Sequence, residues 1–252
     1  MEDKQQAKPP GWGDDELSAF LEQAHRNQLG TFHNKKTAFA LLREIDACFV
    51  KPVSGMINPR DLISPFLYMR SHSAWRAACG TAMAGQVVET FPHLRLALES
   101  AAYALFIHEK QDMREVWFNR NDSEPAKKRM RSEFSLTNIS EAIARRDSKL
   151  ASIFRHLYEQ SIDQGGHPNQ LGVMGSAAMT DIEGGKQLQQ IYLHGDGIAL
   201  DAALKVVVET GICCLYVLQN IPTFTARFQL LGIKDRLNSL RRKSSLLVKQ
   251  TA

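Results

Sequence analysis

The chain has 252 residues, 44% hydrophobic and 23% charged, which fills a folded core and excludes a disordered chain outside its ends. Its net charge of +4 is uneven: residues 227–252 hold seven Lys or Arg against one acid, a surplus of six, so residues 1–226 carry a net −2. The N-terminus, MEDKQQAKPPGWGDD, lacks the apolar stretch of a secretory signal.

Helical periodicity dominates the chain. A polar, flexible leader over residues 1–13 precedes DDELSAFLEQAHRNQ, which sets Leu17, Phe20, Leu21 and Ala24 on one face and is expected to close at Gly30. A second helix should start at the cap residue Asn34 and stop at Pro52. From Phe66, a run rich in Ala, Gly and Ser reads as a central helix that lets a neighbour approach closely, and Pro92 separates it from the next. WFNRNDSEPAKKRMRSEFS is charged, with one short helix starting near Pro125. A long helix follows, capped at Asn138 or Ser140, and ends in SIDQGGHPN. Between Gly172 and His194 the rhythm breaks into two short runs around Glu183-Gly184-Gly185, the pattern of a β-hairpin.

Two more helices complete the chain. ALKVVVETGICCLYVLQNIP carries Lys205, Glu209, Gln219 and Asn220, so it reads as a buried helix and not a bilayer span. The last holds Leu237, Leu240 and Leu247 on one stripe. The expectation is a mostly α, single-domain bundle of six to eight helices: a domain over 14–233 with the hairpin near 172–194, then a basic helix and tail over 234–252.

Several chemistries are excluded. No phosphate loop, dinucleotide-binding glycine fingerprint, H-E-x-x-H or G-x-S-x-G elbow occurs, and no Cys/His set has zinc spacing. The cysteines Cys48, Cys79, Cys213 and Cys214 form no C-x-x-C pair, which suits a reduced, cytoplasmic chain. Neither cofactor nor metal is expected, and no membrane partner.

Four groups could carry function. Arg95, Glu99 and Tyr103 lie four apart, on one helix face: either an anion anchor with its orienting carboxylate, or an ion pair of the bundle. Trp117 precedes Arg120 and could stack on a base or pack a helix end. Tyr158 and Ser161 lead into Gly165-Gly166, which permit positive φ, and Pro168 biases His167 towards extended backbone. So held, His167 is a proton carrier or a staple for the turn. One cleft is expected to gather Tyr158, Ser161 and His167, as the catalytic group, with Arg95 and Arg120. The fourth group, Arg241, Arg242 and Lys243, either meets nucleic-acid phosphates or is a solvated helix end.

LRLALESAAYALFI, VWFNR, LYEQSIDQGGHPN, a hairpin and LYVLQNIP together resemble a group of uncharacterised bacterial helical proteins related to HEPN (higher eukaryotes and prokaryotes nucleotide-binding) bundles. The likeness covers roughly residues 60–232 and implies family-like positions at Arg95, Glu99, Tyr103, Arg120, Ser161, His167 and Asn169. It also implies a nucleic-acid- or nucleotide-directed module of bacterial stress or phage defence, with RNA or nucleotide as partner. HEPN ribonucleases carry R-x(4–6)-H on a helix; here that spacing occurs only from Arg26 to His33, across Gly30, so the motif does not support ribonuclease activity. The competing reading is a non-enzymatic helical interaction protein, a dimer subunit or a partner in a larger assembly.

Overall fold

The computed structural model describes residues 8–59, 61–168, 170–245 and 247. Among them lie twelve α-helices and one two-stranded hairpin. In chain order the first eight helices are α1 (Glu16–Asn34), α2 (Lys36–Val53), α3 (Ile63–Ala84), α4 (Val87–Glu109), α5 (Met113–Phe118), α6 (Glu124–Glu133), α7 (Leu136–Ala144) and α8 (Ser148–Ser161). After α9 (Gln170–Met174) come strands β1 (Ala177–Ile182) and β2 (Gly185–Gln190), then α10 (Ile198–Leu218), α11 (Pro222–Leu230) and α12 (Ile233–Ser244).

The helical class agrees with the periodicity, but the helices outnumber the six to eight expected because one long pattern is split and the short helices α5, α9 and α11 add to it. Asp147 accepts hydrogen bonds from the Lys149 and Leu150 amides, so one expected helix becomes α7 and α8. Ser135, not Asn138 or Ser140, caps α7. Pro222 occupies the first position of α11, where its missing N–H costs nothing. Two other boundaries also move. Helix α1 runs through Gly30 to Asn34, and Lys35 alone separates it from α2. Pro92 lies inside α4, and the break falls at Gly85, whose left-handed backbone (φ 84°) closes α3.

Helix α10 is the axis of the bundle, packing against α2, α3, α4, α8 and α12. Its Gly211 admits α3 to close range: a Cβ there would strike the Trp75 indole, which donates from Nε1 to the Val207 carbonyl at 2.9 Å. Helices α3 and α4 lie antiparallel, tied by Ser71 Oγ donating to the Ala97 carbonyl at 2.8 Å. Asp46 on α2 accepts two bonds from Arg76 on α3 and meets His72 Nε2 at 2.7 Å. One contiguous core runs from Ala38 to Leu240. All four cysteines are free thiols, three of them buried. No described helix is long and apolar enough to cross a membrane.

Helix α1 departs from its expected polarity. It buries Ser18, Ala24 and Thr31, while Leu17 is 67% and Leu21 44% exposed. Residues 1–7 of the leader lie outside the described residues; Lys8 and Trp12 both engage Glu22 of α1.

The hairpin forms where the helical rhythm fails, in the register Met179 to Leu188, and its loop is Glu183-Gly184 with Gly184 left-handed (φ 91°). Both strands are largely exposed, and the main neighbour is α9. Its base is fastened: the Ile191 amide donates to the Ser176 carbonyl, Ser176 Oγ meets His194 Nε2 at 3.0 Å, and the His194 amide donates to the Gly85 carbonyl.

Candidate functional site

The face that spaces Arg95, Glu99 and Tyr103 along α4 opens into a cleft of about 300 Å3. Tyr158 enters it from α8, Arg120 from the turn after α5, and Lys127, Met130, Arg131 and Phe134 from α6 and its end. Helix α6 exists because Ser123 caps it, accepting from the Ala126 amide, and Pro125 sits in its first turn. That places Lys127 and Arg131 one helical turn apart on the cleft wall.

Three side chains form a closed hydrogen-bonded set. Arg95 Nε donates to Glu99 Oε1 at 3.0 Å, Arg95 Nη2 donates to Tyr158 Oη at 3.1 Å, and Tyr158 Oη donates to the same Glu99 oxygen at 2.9 Å. The guanidinium also lies over the Tyr158 ring, 5.3 Å from its centroid. Among the described residues, two of the five Arg95 N–H donors are thus engaged. Partial burial works against the Arg95 charge, but the hydrogen bond to Glu99, the Glu99 charge and the contact with Tyr158 outweigh it and raise its pKa.

Burial first, and the Glu99 carboxylate second, push the Tyr103 and Tyr158 phenols each up to about 12. Both therefore stay protonated at neutral pH. Among the described residues Tyr103 Oη makes no hydrogen bond and is free to donate to a ligand. Below it, Phe134 packs edge-on to Tyr103 at 4.8 Å and to Phe106 at 5.1 Å, giving the cleft an apolar floor. Four cations face one carboxylate, and that carboxylate is already bonded. Lys127 also pairs with Glu124, but on the surface, where such a pair yields readily.

Of the residues singled out in the sequence, the cleft gathers Arg95, Glu99, Tyr103, Arg120 and Tyr158. It does not gather Ser161, His167 or Trp117. The buried Ser161 hydroxyl donates to the Tyr158 carbonyl at 2.6 Å, inside its own helix end. His167 is exposed beyond the wide turn Ile162–Gly166, extended at φ −142° and ψ 151° as Pro168 dictates. Neither Ser161 nor His167 lines the cleft that holds Tyr158 and the two arginines. Trp117 meets Phe118 edge-on at 5.2 Å and packs on the core, without stacking on Arg120. Asn169 lies outside the described residues.

The glycine pair serves closeness, not positive φ. Gly165 has an extended φ of 161°, and a Cβ on it would collide with the Val88 carbonyl oxygen. That carbonyl is the one that Pro92, lacking an N–H, leaves without its helical donor. A Cβ on Gly166 would stand 3.6 Å from Arg95 Cδ, so the turn lies against the stem of the cleft's central arginine.

Lys127 and Arg131 were not anticipated as site residues. Their signal was present in S-x-P-A-K-K-R-M-R, a capped start followed by basic residues four apart. Among the described residues no group of His, Cys, Asp and Glu could hold a metal ion. No family model, curated protein or solved structure matches the chain, so the likeness to HEPN-type bundles rests on the short motifs that suggested it.

Proposed function

We propose that the chain is a nucleotide- or nucleic-acid-directed module that holds phosphate in the cleft between α4, α6 and α8. One observation carries this reading: Arg95 is held in place by Glu99 and Tyr158 while Arg120, Lys127 and Arg131 converge on the same space. A guanidinium fixed before the ligand arrives loses little freedom on binding, and charge-assisted bonds to phosphate are the strong kind. The cleft offers donors and cations, and its one carboxylate is engaged; that set suits binding more than bond-making. A place in bacterial stress or phage defence comes with the HEPN-type likeness, and the cleft adds to it only the phosphate chemistry.

The test is binding of labelled single-stranded RNA and of ATP at low and raised salt. Affinity should fall with salt, with a slope of about −0.7 to −0.9 in log K per phosphate neutralised. Arg95→Gln should weaken binding about tenfold or more, since hydrogen bonds to charged groups contribute about 1.5–3 kcal/mol. If neither ligand binds at low salt, the reading fails.

The interaction-protein alternative has its own observation. The α9 and hairpin arm exposes Leu171, Val173, Met174, Met179 and Leu188, the last at 76%. A lone two-stranded hairpin is marginal in water, so a partner surface would steady it. Light scattering after gel filtration tests this: an oligomer that Leu188→Asp converts to monomer supports it, and a monomeric wild type removes the self-association form.

A further inference from the structure

We propose that the cleft takes a run of adjacent phosphates, as in a nucleoside triphosphate or free inorganic polyphosphate, and that it reads this chain without reading a base. The inference rests on the phosphate-binding reading above and names the ligand class for it.

The arrangement of cations argues for several phosphates over one. Arg95, Arg120 and the pair Lys127 and Arg131 line the cleft from three separate elements. On α6 the pair stands one turn apart, where neighbouring side chains are about 5–6 Å from each other at Cβ, and forms a short rail. A single phosphate dianion would leave most of this charge unmatched. A chain bearing three or four negative charges matches it.

The aromatic groups argue against a base. The Tyr158 ring has Arg95 over it and stacks on Phe154 at 6.0 Å between centroids. Phe134 is only 6% exposed and packs edge-on with Tyr103. Nucleic-acid platforms that hold bases present aromatic faces for stacking. This lining presents O–H and N–H donors instead: the Tyr103 hydroxyl, the Arg95 guanidinium and three flexible cations. Such groups discriminate charge and oxygen geometry, which all four common nucleotides share.

Calorimetric titration without magnesium, using tripolyphosphate, ATP, UTP, AMP and adenosine, tests the assignment. Tripolyphosphate, ATP and UTP should bind within about threefold of one another, AMP about tenfold or more weakly, and adenosine not at all. Lys127→Gln with Arg131→Gln should lower triphosphate affinity about tenfold or more, as expected for lost charge-assisted bonds, with helical content unchanged. A preference of more than about tenfold between ATP and UTP, AMP binding as tightly as ATP, or an indifferent double variant would each overturn it. If single-stranded RNA binds through Arg95 and triphosphates neither bind nor compete, the phosphate cleft stands and the polyphosphate assignment falls. If RNA and triphosphates both fail, the two readings fall together.

Discussion

Two basic regions stand in different relations to the bundle. In the cleft, Arg95, Arg120, Lys127 and Arg131 point from three elements into one space. On α12, Arg241, Arg242 and Lys243 are exposed while Ile233, Leu237 and Leu240 are fully buried, so the helix is seated by its apolar stripe. Lys243 pairs with Glu44 on the surface at 2.9 Å, as Lys127 does with Glu124, and Arg241 edges a separate 640 Å3 trough walled by Leu150, Ile153, Leu157 and Ile212. The C-terminal stretch is the more basic of the two in sequence, yet its cations do not converge. Charge density along a chain measures attraction at long range; a bound phosphate needs several donors aimed at one place.

The largest contrast should appear on removing the apolar seat of α12. Leu240→Ala is expected to cost about 2–5 kcal/mol of stability, the range for truncating a buried leucine. Urea denaturation measures it, and a loss below that of a surface substitution would mean that α12 is not docked. Next in size comes Gly165→Ala, which forces a methyl against the Val88 carbonyl and should cost about 1–3 kcal/mol. Because the same turn lies against the Arg95 stem, phosphate affinity should drop with it. An unchanged affinity would separate the turn from the cleft.

Alkaline pH sharpens the comparison. Tyr103 and Tyr158 have folded-state pKa values near 12, above the ordinary value of 10. The unfolded chain therefore releases these protons first, and the stability present below pH 10 is lost as pH rises towards 12. Tyr158→Phe should reduce that loss in melts taken across this window. Tyr216, beside α12, is raised by burial while Arg241 pulls the other way. Tyr216→Phe should alter the alkaline profile and leave phosphate binding alone. The smallest effect belongs to the triple change of Arg241, Arg242 and Lys243 to Gln: stability within about 0.5 kcal/mol and a phosphate affinity like the wild type. A steep loss of RNA binding in that variant would reverse the ranking of the two regions.

What could be read from the chain follows physical range. The Arg95, Glu99 and Tyr103 face is legible because residues four apart share a helix face whatever surrounds them. The hairpin is legible because helical periodicity fails there and a glycine turn stands at its centre. Tyr158 was singled out, but its bonds to Arg95 and Glu99 join positions about sixty residues apart and exist only once α4 and α8 pack. Gly165 shows the converse: its residue type invites a local explanation by backbone freedom, whereas the constraint is the Val88 backbone. Leu17 and Leu21 satisfy an amphipathic pattern and still face outward, because α3 receives the small-residue side of α1. Helix boundaries at Asp147 and Gly85 turned on caps that compete with a continuing apolar rhythm.

The place of α10 in the chain bears on how the protein is made. A ribosome delivers α1 to α9 before Ile198 appears, so the α3 and α4 pair leaves the exit tunnel without the helix that covers it. Until then Trp75 lacks the Val207 carbonyl as acceptor, and the apolar sides of α2, α4 and α8 stay wet. A chain in that interval exposes apolar surface of the kind that makes incompletely folded proteins prone to aggregate. Folding of the bundle therefore waits on translation of its central helix, and the core closes late in synthesis.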